Sequence, residues 1–286
     1  LDLQGDGRLD LVSYQQPGTA YFKQTGTHGG AGPRTSWEHR TLPKVPNVDF
    51  NDPELRFLDV TGDGRADILI TRGRVIAYYR GRGEAGFEPV VEIPVPLDEA
   101  RGPRVVFSDD RSRIFTADMT GDGLSDLVRA DVGQVCYWPN LGRGRFGRKV
   151  TMCNAPAFDG VRFDARRVRL ADIDGSGPTD LIYLHPEGVT IYMNEAGNGL
   201  ADGHVVRGLP LPNQLGDVQV VDLLGRGTAC LVWSARSPGT APPKMAYVDL
   251  LGRADDDEAP PSAYKPHLLT RVQNNQGAET RIRYTP

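Results

Sequence analysis

Cysteine is scarce and odd in number. Cys136, Cys153 and Cys230 lie far apart in a chain of 286 residues, which fits neither a disulfide framework nor the paired spacing of a zinc site. Cys136 and Cys230 sit in apolar, strand-like runs and are expected as buried free thiols. The five histidines, His28, His39, His185, His204 and His267, fall in no zinc or nucleophile motif and read as surface or turn residues. Acids outside the repeats described below, Asp109-Asp110 and Asp131, have no fixed separation that would make a glycosidase pair. The run Gly142-Arg143-Gly144-Arg145 lacks the Lys-Ser/Thr of a phosphate loop. No catalytic residue is expected. A formal net charge of −4 gives no basic footprint for nucleic acid. No signal peptide is evident, and no apolar run is long enough to span a bilayer, so direct membrane insertion is not expected. The chain opens on Leu1-Asp2-Leu3 without an initiator Met, and is expected to be a piece of something longer.

Turn-forming residues are abundant instead. With 34 Gly and 22 Pro, the chain is punctuated too often for long helices. Five segments repeat: LDLQGDGRLDLV from Leu1, LDVTGDGRADIL from Leu58, ADMTGDGLSDLV from Ala117, ADIDGSGPTDLI from Ala171 and VDLLGRGTACLV from Val221. Their leading aspartates, Asp2, Asp59, Asp118, Asp172 and Asp222, are 57, 59, 54 and 50 residues apart. An aromatic run keeps phase with them. Tyr21, Tyr78 and Tyr137 each follow their leading Asp by 19 residues, and Tyr192 by 20. Each unit supplies an apolar run before the loop, a second after it, a third carrying the Tyr, and a fourth such as Phe87 to Ile93 beyond a Gly cluster. Four short strands per unit of about 50 residues is the economy of a propeller blade. The expected fold is an all-β propeller of four-stranded blades over residues 1–252, with five repeat loops visible. A Pro-containing acidic linker is expected over 253–265. A β-hairpin turning at Asn274-Asn275-Gln276-Gly277 is expected within 266–286, at the start of a following β-rich region. The fifth unit drifts, since Tyr247 follows Asp222 by 25 residues beyond a Pro-rich insert at 237–243.

The loops carry a cation-type ligand pattern. In the second, Asp59, Thr61, Asp63 and Asp67 occupy positions 1, 3, 5 and 9, and Gly64 follows position 5. This is the oxygen spacing of calcium loops without their bidentate Glu. The third has Asp118, Thr120, Asp122 and Asp126; the first Asp2, Gln4, Asp6 and Asp10; the fourth Asp172, Asp174, Ser176 and Asp180. Three carboxylates within about 4 Å repel by roughly 1 to 4 kcal/mol per pair at surface dielectric, which a hard divalent cation relieves. Oxygen ligands without His or Cys select Ca²⁺, held weakly as a structural ion, with the second and third loops favoured. The competing reading is that the aspartates only cap turn N–H groups. The fifth loop speaks for it: Leu224, Arg226 and Cys230 replace the other ligands, while the Gly225-Arg226-Gly227 turn survives.

The repeats resemble the FG-GAP/VCBS type of propeller blade. The runs YWPNLGRGRFG from Tyr137, YMNEAGNG from Tyr192 and the terminal KPHLLTRVQNNQGAETRIRYTP are similar to the middle region of the B component of bacterial Tc insecticidal toxin complexes, related to SpvB. That resemblance implies a six-bladed propeller and an RHS-type shell beyond it. It implies a C component as the carrier of the toxin and a pentameric A component as the translocation channel. It implies a secreted, non-catalytic scaffold that closes the shell and docks onto A. It supplies no catalytic residue and assigns no docking residue. The alternative is a secreted FG-GAP adhesin or lectin binding a host protein or glycan, with Trp37 or Trp138 stacking on sugar; Trp138, inside an apolar strand, is expected in the core instead.

Overall fold

A computed structural model describes residues 1–6, 8–14, 19–24, 36–105, 107, 114–186, 188–209, 218–235, 244–250, 267–274 and 276–283. The linker expected over 253–265, the insert at 237–243, Asp109-Asp110, His28 and Asn275 lie outside the described residues. The fold is all-β, of β-propeller type, and every strand pairing is antiparallel. The chain divides into two compact units, Leu1–Asp118 with Gly123–Met152, and Met119–Asp122 with Cys153–Pro286.

The first unit holds three sheets. The first runs in the order β1 (Leu11–Ser13), β2 (Ala20–Gln24), β3 (Trp37–Thr41). The second is β4 (Leu55–Leu58), β5 (Asp67–Thr71), β6 (Val75–Tyr79), β7 (Val91–Pro94). The third is β8 (Ile114–Ala117), β9 (Asp126–Asp131), β10 (Gln134–Trp138), β11 (Val150–Thr151). The second unit holds β12 (Val168–Ala171), β13 (Asp180–His185), β14 (Gly188–Tyr192) and β15 (His204–Arg207) as one sheet. It also holds β16 (Val218–Val221), β17 (Cys230–Ala235) and β18 (Lys244–Asp249) as another, and the hairpin β19 (Arg271–Gln273) with β20 (Glu279–Arg281). Each blade is a meander whose sequence order is its spatial order, as short turns between neighbouring strands require.

The strand that follows the loop is largely buried in the second, third and fourth blades, but not in the first, where Leu11 is exposed. Every residue of β5 is buried, which is why its sequence is a continuous apolar run rather than an alternating one. Between the second and third blades Leu58, Val60, Leu69, Ile76 and Tyr78 pack with Leu127, Cys136 and Trp138. In the second unit Ile173, Ile182, Val189 and Ile191 pack in the same way with Val218, Leu231 and Trp233. Tyr21, Tyr78 and Tyr137 are core residues, as is Trp138, whose indole N–H donates to the Glu99 carbonyl at 2.9 Å. Cys136 and Cys230 are buried free thiols, whereas Cys153 is exposed.

The fourth strand differs from expectation. Phe87 makes only an isolated bridge with Gly81, and the paired strand begins at Val91. Pro89 has no N–H to donate to a ladder, so pairing starts beyond it. The C-terminal hairpin forms as its sequence suggests. Asn274 N–H donates to Ala278 O at 3.1 Å, and its side chain accepts from Gln276 and Ala278 N–H.

Candidate functional site

The Asp/Gly loops connect the first and second strands of the blades, and each acid in them has a separate task. The leading Asp accepts the loop's own N–H groups. Asp59 Oδ1 takes Thr61, Gly62 and Asp63 N–H at 3.1, 2.6 and 3.2 Å, and its Oδ2 takes Gly64 N–H at 2.7 Å. Asp172 does the same for Gly175, Ser176 and Gly177 at 2.8, 3.1 and 3.0 Å. Asp2 holds Gln4, Gly5 and Asp6 N–H; Asp118 holds Gly123 N–H; Asp222 holds Arg226 and Gly227 N–H. Such convergence requires left-handed backbone, and Gly62 and Gly64 each have φ of 80°, where a Cβ is unfavourable.

The acid at position 9 begins the second strand and is buried. Asp67 accepts Val60 and Thr61 N–H on Oδ2 at 3.0 and 3.1 Å, and Gly81 N–H on Oδ1 at 2.7 Å. Asp180 accepts Ile173 and Asn194 N–H at 2.9 and 2.8 Å, and Asp126 accepts Asn140 N–H at 2.8 Å. The carboxylate thus ties the loop to the end of the third strand. Burial is the main influence on its titration. It pushes Asp67 and Asp180 up to about 6, against the N–H groups that hold the charged form, and it raises Asp10 as well. Asn140 and Asn194 extend the tie to the preceding loop, through Nδ2 to Val60 O at 3.4 Å and to Met119 O at 2.9 Å.

Position 5 separates the loops. Asp63 Oδ2 accepts from Arg80 Nε and Nη2 at 3.2 and 2.8 Å. Burial acts to raise the Asp63 carboxyl, but the hydrogen bonds from Arg80 and from Arg65 N–H outweigh it and hold it below the ordinary value. Asp6 and Asp174 each accept one N–H, from Arg8 and Ser176. Among the described residues, one trio of acids brings its carboxylate oxygens within 4.8 Å of one another: Asp172, Asp174 and Asp180 of the fourth loop. That trio offers oxygen donors of the type a hard divalent cation takes. In the second loop the Thr61 side chain helps hold the charged form of Asp67, and the Asp63 carboxylate already carries a guanidinium.

The fifth blade presents a second candidate surface. Leu223, Met245 and Tyr247 are 46%, 71% and 52% exposed. Their counterparts by register in the fourth blade, Ile173, Val189 and Ile191, are buried. Trp37 is also exposed.

Comparison with known proteins agrees with the repeat and with the C-terminal segment. Residues 205–286 match the family described as the insecticide toxin TcdB middle/N-terminal region, and residues 59–128 match the FG-GAP-like repeat. No curated protein matches the chain. A variant of the Photorhabdus luminescens Tc holotoxin pore is 29% identical with a TM-score of 0.72, over 99% of this chain and 12% of that one. TcdB2-TccC3 without its hypervariable C-terminal region is 25% identical with a TM-score of 0.53, over 99% of this chain and 15% of that one. A lectin of Agrocybe aegerita that recognises non-reducing terminal N-acetylglucosamine shares the fold at 21% identity and a TM-score of 0.54, over 86% of this chain and 64% of that one. The chain thus spans a small part of the toxin chains it resembles. Over nearly its whole length the chain is thus similar to a Tc holotoxin chain, with its C-terminal segment similar to the TcdB middle/N-terminal region and residues 59–128 similar to an FG-GAP-like repeat.

Proposed function

We propose that this propeller is the non-catalytic scaffold and docking part of a secreted Tc toxin B component, closing the toxin-containing shell and seating it on the pentameric A component. The observation that carries this reading is the likeness to the holotoxin pore over 99% of the chain. The polar apparatus of the loops favours it too. The leading and position-9 aspartates spend their oxygens on backbone N–H groups, which suits holding a rigid surface more than turning over a substrate. The uncovered apolar residues of the fifth blade are of the kind that further β-structure or a partner subunit covers. Within the scaffold we assign a structural Ca²⁺ to Asp172, Asp174 and Asp180; calcium should raise the melting temperature, and Asp174→Asn should remove that rise.

The test is biolayer interferometry of the purified chain against the cognate A pentamer. Saturable binding supports docking. A folded chain that does not bind A but binds glycans on an array would replace this reading with the lectin one.

A further inference from the structure

The position-5 residue and the end of the third strand carry opposite charges in two loops, with the signs exchanged. In the second loop Asp63 pairs with Arg80 at 2.8 Å. In the fifth, Arg226 pairs with Asp249 at 3.4 Å. Arg80 lies one step beyond the Ile68–Tyr79 pair, opposite position 9, and Asp249 lies opposite position 9 through the Asp249–Cys230 pair. The two pairs therefore occupy one place in the blade, although their partners are 17 and 23 residues apart in sequence. We propose that this pair is a built-in substitute for a metal ion: the second loop, whose sequence carries the full oxygen spacing of a calcium loop apart from its bidentate Glu, is held by Arg80 rather than by a cation, and the fifth keeps the same lock with its charges reversed.

The same register position differs in the first and fourth loops as well. The first loop has Lys23 there, one step beyond the Leu11–Phe22 pair, and its ammonium group reaches the position-3 side chain of Gln4 at 3.1 Å. The fourth has Met193, one step beyond Leu181–Tyr192, and it is the loop whose three carboxylates gather. A cation bound at Asp63 would sit beside a guanidinium that already donates twice to the same oxygen, so two positive centres would compete for one carboxylate.

This inference stands apart from the docking role, and its test uses melting of the full chain. The parent carries Asp174→Asn, which silences the fourth loop. With Arg80 present, millimolar CaCl2 and excess chelator should give the same melting temperature. Arg80→Asp alone should lower it, and the exchange Asp63→Arg with Arg80→Asp should return it to within about 2 °C of the parent, the scale of an exposed pair. A calcium-dependent rise that Asp63→Asn abolishes would overturn the proposal. So would an exchange variant no more stable than Arg80→Asp alone.

Discussion

Replacing Asp67 by Ala should cost far more stability than replacing Asp63 by Ala, although the two stand in one loop and both match a ligand pattern. Asp67 is fully buried and accepts three backbone N–H groups, those of Val60 and Gly81 being themselves buried. Each buried donor left unsatisfied costs about 1 to 3 kcal/mol, so Asp67→Ala loses roughly 4 kcal/mol. At about 2 to 4 °C per kcal/mol for a domain approaching this size, the melting temperature should drop by roughly 10 °C. Asp63 loses a partly exposed ion pair with Arg80, worth about 0 to 1 kcal/mol, and should drop by about 3 °C or less. The assay is thermal unfolding followed by circular dichroism, in chelator. Equal losses, or the reverse order, would refute the assignment of Asp67 as the buried tie and Asp63 as a surface partner. If the losses appeared only in calcium, the loop would be held by the ion.

Two other outcomes follow from the same contacts. Burial raises Asp67 and Asp180 to about 6, above the unfolded value of 3.8. Their neutral forms are thus favoured by folding, and the stability they add is complete below about pH 4 and is lost as pH rises through about 6. Melting temperature should fall between pH 5 and pH 7, and Asp67→Asn should flatten that slope; a chain that gains stability over this interval contradicts the assignment. Asn194→Ala strands the Met119 and Thr179 carbonyls, both 2.9 Å from Nδ2, and the Gly197 N–H. It should cost about 2 to 3 kcal/mol, measured by urea denaturation, and a loss below about 0.5 kcal/mol would show that the staple is idle.

Much of this fold is legible in the sequence because its signals are local. The Gly-rich turn, the leading Asp and the Tyr of the third strand each lie within one repeat, so spacing alone aligns the blades. The buried thiols of Cys136 and Cys230 and the core position of Trp138 follow from apolar neighbours. The division of labour among the acids is not local. Asp67 looks like a fourth ligand, and only the partners Val60 and Gly81, on either side of it in sequence, reveal a buried tie. The Arg80 and Asp249 counter-charges become visible once antiparallel register brings the third strand's end to the loop. Asn194 reaches a carbonyl 75 residues away, a distance that no repeat spacing encodes. The fourth strand begins at Val91 because Pro89 has no N–H to donate to the ladder, a feature that an apolar alternation pattern does not carry.

The proposed docking role is tested most directly in a Tc B polypeptide that carries this chain. Residues 1–250 would be deleted, and assembly with the C and A components followed by size-exclusion chromatography. The account predicts that the deleted protein still associates with C but no longer joins the A pentamer. A deleted protein that assembles with A as well as the intact one does would contradict it.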